Sequence, residues 1–272
     1  YRKVLGYPEL QNRTSLDWWI DRIHPEDRHQ VLASQSAALR GEADYWHEEY
    51  RFRTASGNWI DVKTRCAIVR KDNGAPIRIV GSMQDVSQQK AAEAELNWAA
   101  LHDPLTKLPN RTLYRQRKCA AIEAARQSGH CVALVVLDLN NFKELNDTFG
   151  HSLGDRVLEQ TAERLMRALP EKATVARLGG DEFAIILPEL AAPHAYSDTM
   201  TRISAALVEP MLFGDLHVPV NFSAGVAIWP RDADVPAELL IAADLALYAA
   251  KDLMPGTILE FTPLLKGAAE RR

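Results

Sequence analysis

Leu178-Gly179-Gly180-Asp181-Glu182-Phe183 lies between two short, mostly apolar runs at positions 174–178 and 183–187. Both runs are rich in β-branched, aliphatic and aromatic residues, which predicts two strands, and the paired glycines predict a hairpin turn. Glycine also leaves the main chain open to close approach by a ligand. Because neighbouring strand residues point to opposite faces, we expect Asp181 and Glu182 to have different roles. Taken alone, so short a motif is also typical of a plain turn with acids in water.

The composition indicates a folded globular protein of 272 residues, 47% apolar and 25% charged, with room for two domains. The net charge is −4 and no basic stripe is visible, which argues against a nucleic-acid partner. The longest apolar run, at 132–137, is far too short to span a membrane. Cys66, Cys119 and Cys131 lack metal-ligand spacing, so we expect reduced thiols and a cytoplasmic location. A membrane anchor elsewhere in a longer parent protein stays open.

The first third of the chain predicts an α+β domain. The chain begins at Tyr1 rather than at Met, so we expect a fragment of a longer protein. Pro25 suits the first turn of a helix that should continue to Leu39. Turn signals at Gly57 and Gly74 divide the residues that follow into three antiparallel strands. We expect these strands at 45–54, 59–69 and 77–86.

Several motifs of this region follow the order of one known fold. They are Leu5-Gly6-Tyr7, Ile23-His24-Pro25-Glu26-Asp27, the hairpins at Gly57 and Gly74, and Gly81-Ser82-Met83-Gln84-Asp85-Val86-Ser87. This order resembles the C-terminal two-thirds of a PAS sensor domain. The first strands of a complete PAS fold have no counterpart, so the PAS ligand is unknown. His24 has the chemistry of a haem ligand, but beside Pro25 we expect it to cap the helix or lie on the surface.

Positions 87–101 predict a connecting helix. Ser87 can cap it, and the residues after Ser87 are mostly Ala, Glu, Gln and Lys, which favour helix. Two interpretations stay open for this segment. It is either a plain linker or a lever that passes the geometry of the sensor to the next domain, across a dimer.

The second half predicts an alternation of strands and helices. An apolar run at 131–137 indicates a buried strand that ends on Asp138, and an acid there is costly without a partner or a metal. The order strand, helix, strand, strand, helix, strand is the split βαβ, or ferredoxin-like, arrangement. It places Asp138 and the hairpin acids on adjacent strands, which suits Mg²⁺. The other expected elements are helices at 111–127, 195–207 and 236–251 and strands at 218–228 and 257–261.

Five motifs of this half follow the order of one enzyme family. They are Asp103-Pro104-Leu105-Thr106-Lys107-Leu108-Pro109-Asn110-Arg111, the run from Asp138 to His151, Arg177-Leu178-Gly179-Gly180-Asp181-Glu182-Phe183, Ser223-Ala224-Gly225-Val226-Ala227, and Ala243-Asp244-Leu245-Ala246-Leu247-Tyr248-Ala249-Ala250-Lys251. On these motifs the half resembles a GGDEF domain of the diguanylate cyclases, with a nucleotidyl-cyclase palm core. The resemblance implies a homodimer in which two GTP molecules are joined into cyclic di-GMP with release of pyrophosphate.

The resemblance also implies roles for single residues. Asp138 and Asp181 correspond to carboxylates that bind Mg²⁺ or Mn²⁺, and the carbonyl of Leu139 is a further metal ligand. Glu182 corresponds to the group that helps to ionise the attacking 3′-hydroxyl, and it can also bind metal. The expected catalytic residues are therefore Asp138, Asp181 and Glu182. Two metals that clamp the attacking and leaving oxygens suit an in-line phosphoryl displacement.

The GTP contacts follow from the same resemblance. Main-chain groups near Phe142, with Lys143 and Lys251, correspond to the triphosphate grip, while Asn146 and Asp155 correspond to the guanine readers. A carboxylate can accept both the N1–H and the exocyclic N–H of guanine, a pattern that adenine lacks. The full expected set is Asn141, Phe142, Lys143, Asn146, Asp155, Gly179, Gly180 and Lys251. Asp155 has a second interpretation, since Ser152-Leu153-Gly154-Asp155 is also typical of a helix-capping start.

Three positions depart from the family pattern. Asn140 replaces the second acid of an Asp-x-Asp pair, which weakens the field near the metals without removing an expected primary ligand. Met254-Pro255-Gly256 stands where the family usually has Gly-Arg-Asn, so an arginine that would grip phosphate is absent. Pro170-Glu171-Lys172-Ala173 replaces the Arg-x-x-Asp product-binding motif, and we therefore expect no product-inhibition site.

The sequence thus predicts a PAS-like sensor domain (1–86), a linker helix (87–101), a GGDEF domain (102–264) and a tail (265–272). We expect a diguanylate cyclase controlled by the PAS half and paired through its catalytic and PAS or linker regions. The alternative is a weak or inactive GTP-binding domain that regulates a cyclic di-GMP phosphodiesterase (EAL) domain in the same chain. The absent arginine favours that alternative, as does the tail that begins at Phe261, which resembles the lead into an EAL domain.

Overall fold

The computed structural model describes residues 5–7, 15–41, 43–253 and 255–265. The predictions that concern Tyr1, Met254 and the tail beyond Leu265 lie outside these residues. The chain divides into two compact units, Tyr1–Asn97 and Trp98–Arg272, which are described separately below. The four-part division at 1–86, 87–101, 102–264 and 265–272 stays a prediction.

Among the described residues, two helices precede the sheet of the first unit, α1 (Leu16–Ile20) and α2 (Pro25–Arg40). His24 is the N-cap residue of α2, and its Nδ1 atom accepts a hydrogen bond from the Glu26 amide. Pro25 occupies the first turn, where its missing N–H would have no partner in any case. The capping role expected for His24 is therefore confirmed.

The sheet of the first unit has three antiparallel strands, β1 (Tyr45–Arg53), β2 (Trp59–Arg70) and β3 (Pro76–Asp85), in the order β1-β2-β3. Its buried core includes Trp19, Ile23 and Phe52, which join α1 and the chain before α2 to β1. These elements match the predicted strands within about two residues, and the α+β class of this unit is confirmed.

The connecting helix α3 (Ser87–Leu101) has no buried residue. Ser87 is its first residue rather than a cap, and the Ser87 hydroxyl accepts a hydrogen bond from the Asp61 amide of β2. Lys90 forms ion pairs with Asp61 and Glu49. The predicted helix is confirmed, but its first side chain fastens the helix to β2 instead of capping it. Whether α3 is a lever or a plain linker stays open.

The second unit consists of a five-stranded sheet, a small hairpin and five helices among the described residues. Its strands are β4 (Cys131–Leu139), β5 (Thr174–Gly179), β6 (Glu182–Leu190), β7 (Met211–Phe213), β8 (Leu216–Val218), β9 (Phe222–Trp229) and β10 (Ile258–Glu260). Its helices are α4 (Arg111–Ser128), α5 (Phe142–Phe149), α6 (His151–Ala168), α7 (Ser197–Val208) and α8 (Pro236–Leu253).

The sheet order is β10-β9-β4-β6-β5, with β4 antiparallel to both of its neighbours. The order β9-β4-β6-β5 is that of the ferredoxin-like arrangement, so the predicted split βαβ core is confirmed. One predicted strand is wrong in part. The expected strand at 218–228 is divided, because Val218 pairs with Met211 in a separate hairpin and β9 begins only at Phe222.

Both faces of this sheet are covered. Alternate residues of β4 pack against α6 and α7 on one face and against α4 and α8 on the other. On the second face Gly225 allows α8 to approach β9 closely, since an added Cβ would lie 2.1 Å from the Ala243 carbonyl oxygen and 2.2 Å from the Leu247 nitrogen. Because both atoms belong to the backbone, α8 would have to move to accommodate any side chain there.

We predict that Gly225→Ala destabilises the protein by about 2–3 kcal/mol, the usual cost of overpacking a well-packed core. The control is Gly41→Ala, where an added Cβ meets the Ala37 carbonyl oxygen at 3.3 Å. That change should alter stability by less than about 0.5 kcal/mol. Urea unfolding followed by circular dichroism measures both, and equal effects of the two substitutions would contradict this account of the β9–α8 contact.

Candidate active site

Asp138 is the penultimate residue of β4, the central strand of the sheet, where it lies opposite Glu182 of β6 and Ser223 of β9. Its exposure is 7%. Burial raises the pKa of Asp138 above its ordinary value, against the opposing effect of a hydrogen bond from Lys251, and the charges of Asp181 and Glu182 raise it further. The costly strand-end acid predicted from the sequence therefore exists and has a cationic partner.

That partner is far from Asp138 along the sequence. Lys251 lies in the last turn of α8, and its Nζ atom is 2.6 Å from Oδ1 of Asp138. The Lys251 side chain is partly open to solvent, whereas that of Asp138 is almost enclosed. The ammonium therefore supplies positive charge where three acids meet.

The hairpin between β5 and β6 depends on backbone conformations that favour glycine. Gly179 and Gly180 have φ angles of 147° and 55°. Arg177 donates to the Gly180 carbonyl from Nε at 3.0 Å and from Nη2 at 2.8 Å. The third nitrogen of Arg177, Nη1, lies 3.0 Å from Oδ1 of Asp103. One guanidinium thus fastens the turn that carries Asp181 to the loop that begins at Asp103.

The Arg177–Asp103 pair is a site feature to which sequence reasoning gave no role, although both residues belong to the quoted motifs. Burial would raise the pKa of Asp103, but hydrogen bonds from the Thr106 amide and hydroxyl and from Arg177 outweigh it and hold the pKa below its ordinary value. The pair is a strong internal contact, since both side chains are less than a fifth exposed.

The end of β4 also contacts the hairpin and β9 through its backbone. The Leu139 amide donates to the Asp181 carbonyl at 3.4 Å, and the Asn140 amide donates to the Asn221 carbonyl at 2.8 Å. The Asn140 side chain accepts a hydrogen bond from the Ser223 hydroxyl at 2.9 Å. Asn140, which replaces an acid of the family pattern, is thus bonded to β9.

Helix α5 begins beside these residues, and its first backbone amides make no hydrogen bonds within the helix. Asn141 is the N-cap residue in the left-handed region, with φ of 56°, and its side chain makes no capping bond. The first intrahelical bond runs from the Leu145 amide to the Asn141 carbonyl, so the amides of Phe142 and Lys143 have no partner within the helix. Such a helix end favours anions. Phe142 is half-buried and Lys143 is exposed.

Asn146 and Gly154 form a close contact between α5 and α6. A Cβ on Gly154 would lie 1.9 Å from Oδ1 of Asn146, and that oxygen is buried without a hydrogen-bond partner among the described residues. Asp155 is exposed one position further along α6. The capping interpretation of Asp155 is wrong, because α6 begins at His151 with Gly150 as its N-cap residue and no side-chain cap.

The three acids do not form a closed metal cluster. Among the described residues, the group of three metal-binding side chains whose ligand atoms all lie within 4.8 Å is His24, Glu26 and Asp27 in the first unit. Arg51 already donates to Glu26 and Asp27 there. The acids around Asp138 do not form such a group. Their wider spacing suits a metal ion whose remaining ligands are oxygens of the substrate phosphates.

The family model described as "Diguanylate cyclase, GGDEF domain" matches residues 100–255, more than half of the chain. The chain belongs to the GGDEF family. A model of the PAS fold matches residues 1–83, so both resemblances drawn from the sequence are confirmed. Members of the GGDEF family have a general requirement for a divalent metal ion.

Among curated relatives, this GGDEF protein is 40% identical over 159 residues to diguanylate cyclase TpbB of Pseudomonas aeruginosa, a match that covers 58% of the chain and 37% of TpbB. It is 39% identical over 161 residues to the bifunctional diguanylate cyclase/cyclic di-GMP phosphodiesterase MucR of the same species, covering 59% of the chain and 23% of MucR. The chain thus spans about a quarter to two fifths of the length of these relatives.

Solved structures agree with the fold. The GGDEF domain of TpbB superposes with a TM-score of 0.60 at 36% identity, covering 62% of this chain and 99% of that one. The coiled coil and GGDEF domain of DgcB from Caulobacter crescentus, solved with c-di-GMP, superposes with a TM-score of 0.58 at 27% identity. That match covers 64% of this chain and 93% of the DgcB chain. No described helix of the present chain is both long and apolar enough to cross a bilayer.

The side chains at the GGDEF hairpin fit the family's metal requirement chemically. Asp138, Asp181 and Glu182 offer carboxylate oxygens, the ligands preferred by hard divalent cations, and burial together with the charges of Asp181 and Glu182 raises the pKa of Asp138. Lys251 offsets part of this negative charge in the present structure.

We predict that Asp103→Asn lowers stability by about 2–3 kcal/mol at pH 7, because Arg177 loses its buried counter-charge. Since the pKa of Asp103 is depressed in the folded protein, this stabilisation is complete above the unfolded pKa of about 3.9 and is lost as pH falls through the folded value. The difference between wild type and variant, measured by urea unfolding, should therefore be constant from pH 7 to 5 and shrink below about pH 4.

The control removes an exposed ion pair of the same domain. Glu163→Gln breaks the pair with Arg167, whose side chains are 59% and 79% exposed, and it should cost less than about 0.5 kcal/mol. A difference for Asp103→Asn that stays constant down to pH 3 would show that the charge of Asp103 is not the stabilising element.

Proposed function

We propose that this chain condenses two GTP molecules into cyclic di-GMP in an Mg²⁺-dependent reaction, as a homodimer controlled by its PAS-like half. The observation that carries the proposal is the meeting of Asp138, the hairpin acids and Lys251 at one end of the sheet. The names of TpbB and MucR, which match this GGDEF domain closely, support the same activity. Because GTP is a cytoplasmic nucleotide, we also propose a cytoplasmic location.

The GTP site is proposed along the edge formed by α5 and the hairpin. The unpaired amides at Phe142 and Lys143, with the ammonium of Lys143, are suited to bind the triphosphate. Asn146 and Asp155 would read guanine, and the unpartnered Asn146 oxygen supports this, since it lacks a donor that the base amino group can supply. Gly179 and Gly180 leave the hairpin backbone open to the nucleotide.

Asp138, Asp181 and the Leu139 carbonyl would hold the metal. A bound Mg²⁺ supplies Lewis-acid stabilisation of the charge that develops on the transferring phosphate. Lys251 would then exchange its contact with Asp138 for the phosphate oxygens. Glu182 would accept the proton of the 3′-hydroxyl as that oxygen bonds to the α-phosphorus and the bond to pyrophosphate breaks. Two such steps, one on each GTP, close the ring and release two pyrophosphates.

The homodimer follows from the reaction, because one domain offers a single GTP site and the product contains two nucleotides. Whether an EAL domain shares the parent chain stays a proposal, as does the lack of a product-inhibition site at 170–173. The alternative of a GTP-binding regulator without turnover rests on Pro255, which stands where the family has an arginine.

We predict that Asp138→Ala and Asp181→Ala abolish metal-dependent formation of cyclic di-GMP, while Glu182→Gln retains GTP binding but loses about a hundredfold or more in rate. Chromatography after incubation with GTP and Mg²⁺ measures the product, and calorimetry with a non-hydrolysable GTP analogue measures binding. Asp198→Asn, an exposed acid of α7, is the control and should behave as wild type.

The same experiment separates the two functions. A wild-type protein that binds the analogue but makes no cyclic di-GMP would favour the regulatory alternative. Wild-type turnover in Glu182→Gln would show that another group accepts the proton.

A further inference from the structure

A cavity of about 510 Å³ lies between α4 and α8, next to the acids of the hairpin. Glu182 and Lys251 form part of its wall, so it opens directly onto the proposed catalytic centre. Its other walls come from Leu178 of β5 and from the facing sides of the two helices. None of its helix α4 residues has a role in the proposed GTP site, which lies along α5 and α6.

Helix α4 presents a row of cations to this cavity, Arg111, Arg115 and Lys118. The spacing of four and then three residues places them on one side of the helix. Like charges four residues apart destabilise a helix slightly, so this row does not serve helix stability. Arg111 and Arg115 are exposed at the rim of the cavity, whereas Lys118 lies deeper.

Lys118 is 5% exposed, and within the described part of the chain its ammonium makes neither a hydrogen bond nor an ion pair. Burial lowers the pKa of Lys118, as expected of a cation without a close partner. A buried charge of this kind is costly unless a counter-charge accompanies it. Asp244 of α8 lines the same cavity, and its charge acts on Lys118.

Tyr114 provides a second, independent observation. Its side chain is 2% exposed and lines the cavity, and its hydroxyl has no hydrogen-bond partner among the described residues. Buried tyrosine hydroxyls usually find a partner, so this donor lacks an acceptor. The ammonium of a buried lysine that lines the cavity and a buried hydroxyl donor in the same cavity favour a ligand rich in anionic oxygens.

We propose that this cavity binds a diphosphate group through Lys118, Arg115 and the Tyr114 hydroxyl. The inference rests on the proposed function for the source of the ligand, which is either the pyrophosphate released at the acids or the terminal phosphates of GTP before they leave. In both cases the cavity adds cationic contacts on the α4 side of the acids. Leu240 and Leu247 give the same cavity an apolar wall, and contacts between charges are stronger beside apolar surface than in open water.

The test uses the complete chain in EDTA, so that no metal ion recruits phosphate to the acids, with inorganic pyrophosphate as the probe in calorimetry at pH 8. Lys118→Met should weaken binding by about tenfold or more, and Tyr114→Phe by about threefold. Asp244→Asn should tighten it severalfold, because Asp244, whose pKa is raised to about 6 by burial and by the charge of Glu182, is ionised at pH 8. Unfolding would weaken pyrophosphate binding in every variant, so it could not explain weaker binding in Lys118→Met together with tighter binding in Asp244→Asn.

The matched control is Lys172→Met, an exposed lysine that precedes β5 at the end away from Leu178 and pairs with Glu189. It should leave pyrophosphate binding unchanged. Thermal unfolding of each variant checks that it folds. The proposal is overturned if wild type binds no pyrophosphate in EDTA, or if Lys118→Met and Lys172→Met have the same affinity.

Two further measurements identify the source of the diphosphate. If the cavity holds the terminal phosphates of the substrate, Lys118→Met weakens binding of a non-hydrolysable GTP analogue by the same factor as binding of pyrophosphate. If it holds the released product, only pyrophosphate binding and inhibition by added pyrophosphate change. Because the calorimetry needs no turnover, a protein that makes no cyclic di-GMP would disprove the proposed function without touching this result.

Discussion

The contact between Asp138 and Lys251 is the interaction on which the second unit depends. An acid at the end of the central strand is enclosed by the strands on both sides, so it must be neutralised by a proton, a cation or a metal. The ammonium that does so comes from the last turn of α8, which packs on the sheet through the bare backbone of Gly225. Chemistry and packing are thereby linked, since a shift of α8 would move the cation away from the acid.

The guanidinium of Arg177 fixes the second part of the site in the same way. It bonds both to the turn that carries Asp181 and to the carboxylate of Asp103, so the hairpin is fastened on its outer side. The backbone of the turn adopts conformations that favour glycine at two positions, and glycine has no side chain to pack. A charged pair with little exposure supplies that rigidity. The metal ligands proposed here are thus positioned by residues that touch neither metal nor substrate.

Much of this arrangement could be predicted from the sequence because it depends on local patterns. Apolar runs identify β4 and β6, and the glycine pair identifies the hairpin between β5 and β6. What could not be predicted depends on long-range contacts or on single backbone angles. The Asp138–Lys251 pair joins the two ends of the domain, and the left-handed Asn141 and the division of the 218–228 segment at Val218 have no clear periodic signal. The role of Asp155 was ambiguous because α6 begins after Gly150, which has no side chain to form a capping hydrogen bond.

The departures from the family pattern have different structural meanings. Asn140 is bonded to Ser223, so its side chain takes part in the joint between β4 and β9. Pro255 lies in the turn after α8, at the place where the family pattern has an arginine. The row of cations on α4 lies across the same acids, which gives the chain another source of positive charge.

The most direct test of this account is a crystal structure of the protein with Mn²⁺ and a non-hydrolysable GTP analogue, using the anomalous signal of manganese. The account predicts a metal peak between Asp138 and Asp181, with the Lys251 ammonium moved from Asp138 to a phosphate oxygen. A structure with the nucleotide bound, no metal beside Asp138 and the Lys251–Asp138 contact intact would contradict it.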